Sequence, residues 1–179
     1  MARGVAGLVS FGLAGGLDPA LQAGALVVPA MVIEAGCCYR TDPALSARLG
    51  GMTALRALAG TVILADPDAK RAAHDATGAA IIDLESGAVA RVAVRHNLPF
   101  AVLRAVCDPA GRILPPLALA ALDAGGRIGI GRVLASLLRQ PWQIPALLGL
   151  AGDAMRARLA LAAAVRRQRA SGGKGPGGL

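Results

Sequence analysis

Between residues 80 and 108 a short apolar run, a helix-like stretch and a second apolar run follow one another, and this alternation constrains the fold most. Residues 80–84 read as a strand, 86–97 as a helix and 100–106 as a strand. Each apolar run closes on an acid, Glu85 after the first and Asp108 after the second. In a βαβ unit the two strands are parallel and their carboxyl ends lie on one sheet edge. Both acids would then face the crevice where open α/β sheets bind ligands. Such a pair suits an enzyme acting on a small polar group.

The rest of the chain extends the pattern. Residues 5–11 read as a buried strand that ends in the glycine-rich loop Gly12-Leu13-Ala14-Gly15-Gly16. Residues 25–33 read as a second strand, with Pro29 marking a bulge or an edge. Residues 43–58 are helix-like but interrupted at Gly50-Gly51, 61–65 form a strand and 68–77 a short helix. Beyond Pro115-Pro116 the periodicity is helical to Arg169, with breaks at Gly125-Gly126, Pro141 and Pro145. An α/β fold in one domain over residues 1–170 is expected, followed by a disordered Gly/Pro-rich tail over 171–179.

Aromatic residues make up 2% of the chain, so its core must be built from Ala, Val, Leu and Ile. The net charge of +8 is concentrated at one end: after Asp153 stand Arg156, Arg158, Arg166, Arg167, Arg169 and Lys174, with no acid. The body is therefore nearly neutral. With few aromatics to stack bases, a nucleic-acid groove is not expected. The basic end also suits peripheral contact with an anionic membrane. Cys37, Cys38 and Cys107 form neither a zinc spacing nor a disulfide framework, which fits a reducing cytoplasmic compartment. The apolar start resembles a signal peptide, but Gly12 to Gly16 followed by Asp18-Pro19 reads better as strand and loop.

Each candidate group has a bland reading beside the functional one. Glu85 stands where the helix dipole favours any acid, so it is equally a capping or first-turn residue. Asp108 before Pro109 is also a common turn residue. Glycine at 12–16 would let backbone N–H groups approach a ligand closely, although many βα turns hold as much glycine. His74 and His96 have no partner at ligand spacing and no metal site is expected. Ser10 and Ser86 have no evident base, so neither reads as a nucleophile.

Three blocks, Phe11-Gly12-Leu13-Ala14-Gly15-Gly16-Leu17, Asp83-Leu84-Glu85-Ser86-Gly87-Ala88 and Arg104-Ala105-Val106-Cys107-Asp108, occur in one order. Together they resemble the purine nucleoside phosphorylase and methylthioadenosine nucleosidase superfamily. Leu114-Pro115-Pro116-Leu117-Ala118-Leu119 and Gln143-Ile144-Pro145-Ala146-Leu147-Leu148 are similar to its hopanoid-associated phosphorylases, also described as adenosylhopane nucleosidases. The resemblance runs from Gly7 to about Arg158. It implies a three-layer α/β sandwich with a mixed central sheet, shortened at its N-terminus.

The resemblance also implies cleavage of the N-glycosidic bond of an adenine nucleoside, here one with an apolar hopane tail. Asp108 would protonate or hydrogen-bond N7 of the leaving purine, and Glu85 would bind ribose hydroxyls. Leu84 would pack on the sugar, Ala14 and Gly15 would lie along the nucleoside, and Ala65 and Asp66 would border the base. No metal or organic cofactor is implied, and phosphate is a candidate co-substrate. A homo-oligomer in the cytoplasm, or at the inner membrane surface, is the corresponding expectation.

Two departures stand against the family pattern. The strand and loop that usually precede the matched region, and carry the nucleophile side of the site, are not evident. Leu13 occupies a position where nucleosidases often carry a hydroxyl residue. A methylthioadenosine or S-adenosylhomocysteine type nucleosidase and a shortened, inactive partner subunit are the alternative readings.

Overall fold

The computed structural model describes residues 4–50, 53–115 and 144–172. Seven strands, β1 (Leu8–Gly16), β2 (Leu26–Val27), β3 (Pro29–Glu34), β4 (Cys37–Arg40), β5 (Thr53–Ala59), β6 (Ile81–Asp83) and β7 (Phe100–Asp108), form one sheet. Among the described residues four helices accompany them: α1 (Pro43–Arg48), α2 (Pro67–Thr77), α3 (Ser86–Arg95) and α4 (Ile144–Gly172). Among the described residues, no helix is long and apolar enough to cross a membrane. The expected segments over 116–143, including Gly125-Gly126 and Trp142, lie outside the described residues, as does 173–179.

The sheet is mixed, in the order β2-β7-β1-β6-β5-β3-β4. Val28 alone separates β2 from β3, yet these strands pair at opposite ends of that order. A continuous segment can do this only if the sheet curls until its two ends approach each other. Pro29 marks the switch, and the β3–β5 register shifts between Pro29 and Met31. The single strand expected over 25–33 is therefore two, separated where proline cannot donate a ladder hydrogen bond.

The core explains the scarcity of aromatics. Ala90 and Ala93 of α3 pack with Val32, Ala57, Ile81, Phe100, Val102 and Val106 on one side of the sheet. On the other side Leu103 and Val28 meet Ala164 and Leu161 of α4. Strand β7 is thus covered on both faces, which is why it reads as an apolar run interrupted only by Arg104 before its closing acid. Helix, sheet and helix make the three expected layers. Ser86, Gly87, Ala90 and Ala93 give α3 a face of small residues, so its backbone lies close to the sheet.

Four expectations over local structure need correction. β1 continues through Gly16, so the glycine run is strand, not loop. Its glycines make room for neighbours: a Cβ on Gly12 would lie 2.5 Å from Nη1 of Arg104. Residues 53–58 belong to β5 and not to a helix, because the chain leaves α1 at Gly50 (φ +111°) and pairs with β3 and β6. Residues 61–65 have no strand partner. Finally, α4 runs through Gly172, so 171 and 172 extend the helix.

Candidate active site

The segment linking the two acids does not form a parallel βαβ unit. β1 lies between β6 and β7, parallel to β7 but antiparallel to β6. The carboxyl ends of β6 and β7 therefore point in opposite directions, and the expectation of one shared edge fails. The acids meet by another route. Gly15 of β1 pairs with Ile82 on one side and with Asp108 on the other. Beyond β6 the chain continues back along β1, which brings a Glu85 carboxylate oxygen to 3.7 Å from a Cβ built on Gly12.

A cavity of about 420 Å³ opens over this junction. Leu13, Ala14 and Gly15 of β1, Ile82 to Glu85 at the end of β6, and Cys107 and Asp108 of β7 line it. Val62, Ile63, Leu64, Leu114 and Leu150 complete its apolar wall. Five of the seven residues given site roles in the sequence, Asp108, Glu85, Leu84, Ala14 and Gly15, are thus brought together. Asp66 is not among the lining residues. Its carboxylate caps α2, accepting from the backbone N–H of Asp68 at 2.7 Å and Ala69 at 3.4 Å. Ala65 accepts from the Leu114 N–H instead, so the neighbouring residues 62–64 border the cavity.

Local structure separates the roles of Asp83 and Glu85. Asp83 Oδ1 accepts from the N–H of Glu85 at 2.8 Å and of Ser86 at 2.7 Å, which caps the start of α3. Glu85 sits at the cap position but makes no side-chain cap bond. Its carboxylate is 74% exposed and lies 3.4 Å from Nη2 of Arg104. The capping duty falls on Asp83, leaving Glu85 free to meet a ligand.

Arg104 is the buried centre of this network. Fully buried in β7, it lies 3.1 Å from Asp83 Oδ2 through Nε and donates from Nη2 to Ser10 at 2.8 Å. A buried cation requires such partners, since an unpaired charge in low dielectric is costly. Nη1 is buried with no hydrogen-bond partner among the described residues.

Asp108 is held differently. The β1–β7 register shifts at Ala14/Gly15, so Cys107 is the extra residue of a bulge just before the acid. Bulges re-aim side chains, and here both Cys107 and Asp108 line the cavity. Burial raises the Asp108 pKa, opposed by Lys70 and Arg112, with Asp153 adding to the rise. An acid held protonated further toward neutral pH can donate to a leaving group. Lys70 Nζ lies 2.7 Å from Asp108 Oδ2.

Cys107 is unsuited to nucleophilic work. Burial and the adjacent Asp108 carboxylate push its thiol up to about 11. Iodoacetamide at pH 8 is expected to label the exposed Cys37 and Cys38 and to spare Cys107, read by peptide mass spectrometry. Rapid labelling of Cys107 in the folded chain would contradict this environment. Among the described residues no cluster of three His, Cys, Asp or Glu side chains could hold a metal ion.

Residues 56–124 match the Phosphorylase superfamily. The superfamily segment contains both acids, Arg104 and Lys70, whereas Ala14 and Gly15 precede it. Comparison with the curated proteins gives no significant match. Among solved structures, the chain is similar to the 5′-methylthioadenosine/S-adenosylhomocysteine nucleosidase of Helicobacter pylori bound to butyl-thio-DADMe-Immucillin-A. That match has 16% identity and a TM-score of 0.58, covering 93% of this chain and 71% of the other. For the Campylobacter jejuni nucleosidase the values are 20%, 0.56, 74% and 69%. For the S-adenosylhomocysteine nucleosidase of Streptococcus pyogenes, in complex with 5-methylthiotubericidin, they are 21%, 0.54, 60% and 56%. At these identities the likeness is one of fold.

Proposed function

We propose that the chain cleaves the N-glycosidic bond of an adenine nucleoside. The observation carrying this reading is one cavity shared by a buried acid with a raised pKa and an exposed carboxylate beside an arginine. Its volume is within the usual range for small-molecule sites.

Adenine leaves poorly as an anion, and the ribosyl carbon becomes cationic as the bond breaks. Asp108 is assigned the first problem, donating a proton or hydrogen bond to N7 of the base. Glu85 is assigned the second. It accepts from ribose hydroxyls, which orients the sugar and places negative charge near the developing cation. Leu84 packs on the sugar, while Ala14 and Gly15 lie along the nucleoside. Of the carboxylates lining the cavity, Asp83 is committed to Arg104 and to the cap of α3. Phosphate or water supplies the nucleophile from outside this set.

The apolar wall of Leu13, Val62, Ile63, Leu64, Leu114 and Leu150 favours a substrate with an apolar 5′ substituent. Within that class, adenosylhopane is the assigned substrate, on the similarity of residues 114–119 and 143–148 to the hopanoid-associated group. Methylthioadenosine is the second candidate, because it is smaller and the chain shares the fold of nucleosidases whose names carry it.

The test is chromatographic detection of adenine from adenosylhopane and from methylthioadenosine, each with and without phosphate. We expect adenine in at least one mixture, and a sugar 1-phosphate only if phosphate is the nucleophile. No adenine from any mixture would overturn the reading.

A further inference from the structure

We propose that Lys70 is a positioning residue for Asp108, gripping one carboxylate oxygen so that the carboxyl group keeps a single orientation at the cavity wall. This rests on the function proposed above.

The side chain of Lys70 is fully buried, an uncommon state for a lysine. Its ammonium has three N–H groups and three acceptors: Asp108 Oδ2 at 2.7 Å, Pro109 O at 3.1 Å and Arg112 O at 3.1 Å. With every donor engaged from a fixed helix, the ammonium cannot swing away without leaving a buried charge unpaired. Asp108 is correspondingly asymmetric. Oδ2 is taken, while Oδ1 is buried and has no partner among the described residues. A carboxyl group locked through one oxygen by a fixed, buried ammonium holds one orientation at the cavity it lines.

The charged groups facing Asp108 come from three elements. Lys70 stands on α2, Arg112 on the loop after β7 and Asp153 on α4. Arg112 and Arg156 both pair with Asp153, so that carboxylate is held away from Asp108 by its own partners. Among the charged groups of the described residues, Lys70 alone forms an ion pair with Asp108. The competing view is that Lys70 merely staples the 109–112 loop through its two carbonyl bonds. A glutamine at 70 separates the two views, because its amide can still donate to a carbonyl but carries no charge.

The first measurement needs no substrate. The Asp108 carboxyl carbon is titrated by 13C NMR in the full chain, in wild type, K70M and K70Q. We expect both variants to raise the Asp108 pKa by about one unit or more, because the cation favouring the carboxylate is gone. An unchanged value in K70Q would overturn the proposal, even if K70M failed to fold.

The second measurement is adenine release. K70M and K70Q are expected to lower kcat about tenfold with KM nearly constant, and to move the descending limb of the pH–rate profile upward. In an Asp108→Asn background, either change should add less than about twofold, since Lys70 acts through Asp108. Full additivity would mean that Lys70 acts elsewhere. If no nucleoside is cleaved by wild type, the proposed function fails, while the titration still decides the Lys70–Asp108 coupling.

Discussion

Asp108→Asn is expected to lower kcat by about 10²–10⁴-fold, the usual contribution of a general acid, with a much smaller change in KM. An asparagine amide can still donate a hydrogen bond to N7, so the nucleoside is still held. It has no acidic proton to give as the glycosidic bond breaks. The pH dependence sharpens the result. A general acid works only while protonated, so wild-type kcat should fall as pH rises through the Asp108 pKa. Burial raises that pKa, extending the active range upward from ordinary carboxylate values. The variant should lose this descending limb along with the rate, and steady-state adenine release over a pH series reads both. Near-normal turnover with the limb intact would remove Asp108 from the chemistry.

Arg104→Met is the second large effect, and it falls on stability. The guanidinium is fully buried between Asp83 and Ser10, under a position where only glycine leaves room for it. Methionine fills much of the same volume but abandons Asp83, whose side chain is only 2% exposed. Breaking a buried pair by deleting one partner costs about 3–5 kcal/mol, because the remaining charge is uncompensated. Urea unfolding followed by circular dichroism should show a loss of that size. Adding Asp83→Asn should recover part of it: the amide oxygen can still cap α3, and the stranded charge is gone. A single variant within about 1 kcal/mol of wild type would mean that the buried pair contributes little.

These two variants also show what was legible in the sequence. The strand–helix–strand succession from Ile81 to Asp108 follows from periodicity, because α3 needs a small-residue stripe and β7 needs apolar residues on both faces. The orientation of β6 was not legible. Three residues cannot reveal which neighbour they pair with, and β1, from far upstream, inserts between the two strands. Gly12 reads as loop because its function in a strand depends on Arg104, ninety-two positions away.

Five cavity residues were found because they lie in short blocks that carry a resemblance. Asp66 belongs instead to helix capping, a role that its position before Pro67 is equally suited to. Arg104 had a signal of its own: a lone charge inside an apolar strand must have a buried partner. Lys70 had none. It is followed by Arg71 on a helix with charged residues on several sides, and only the fold shows which of the two turns inward.

The cavity between Leu13 and Leu150 is the proposed nucleoside site. It competes with a cleft of about 890 Å³ lined by Pro19, Gln22, Arg112 and Arg156. The most direct test is hydrogen-exchange mass spectrometry of the full chain with an adenine-like C-nucleoside, whose carbon–carbon bond cannot be cleaved. Protection should appear in peptides covering 13–15, 62–64, 82–87 and 107–108. Protection confined to 19–23 and 153–156, or none at saturating ligand, would contradict the account.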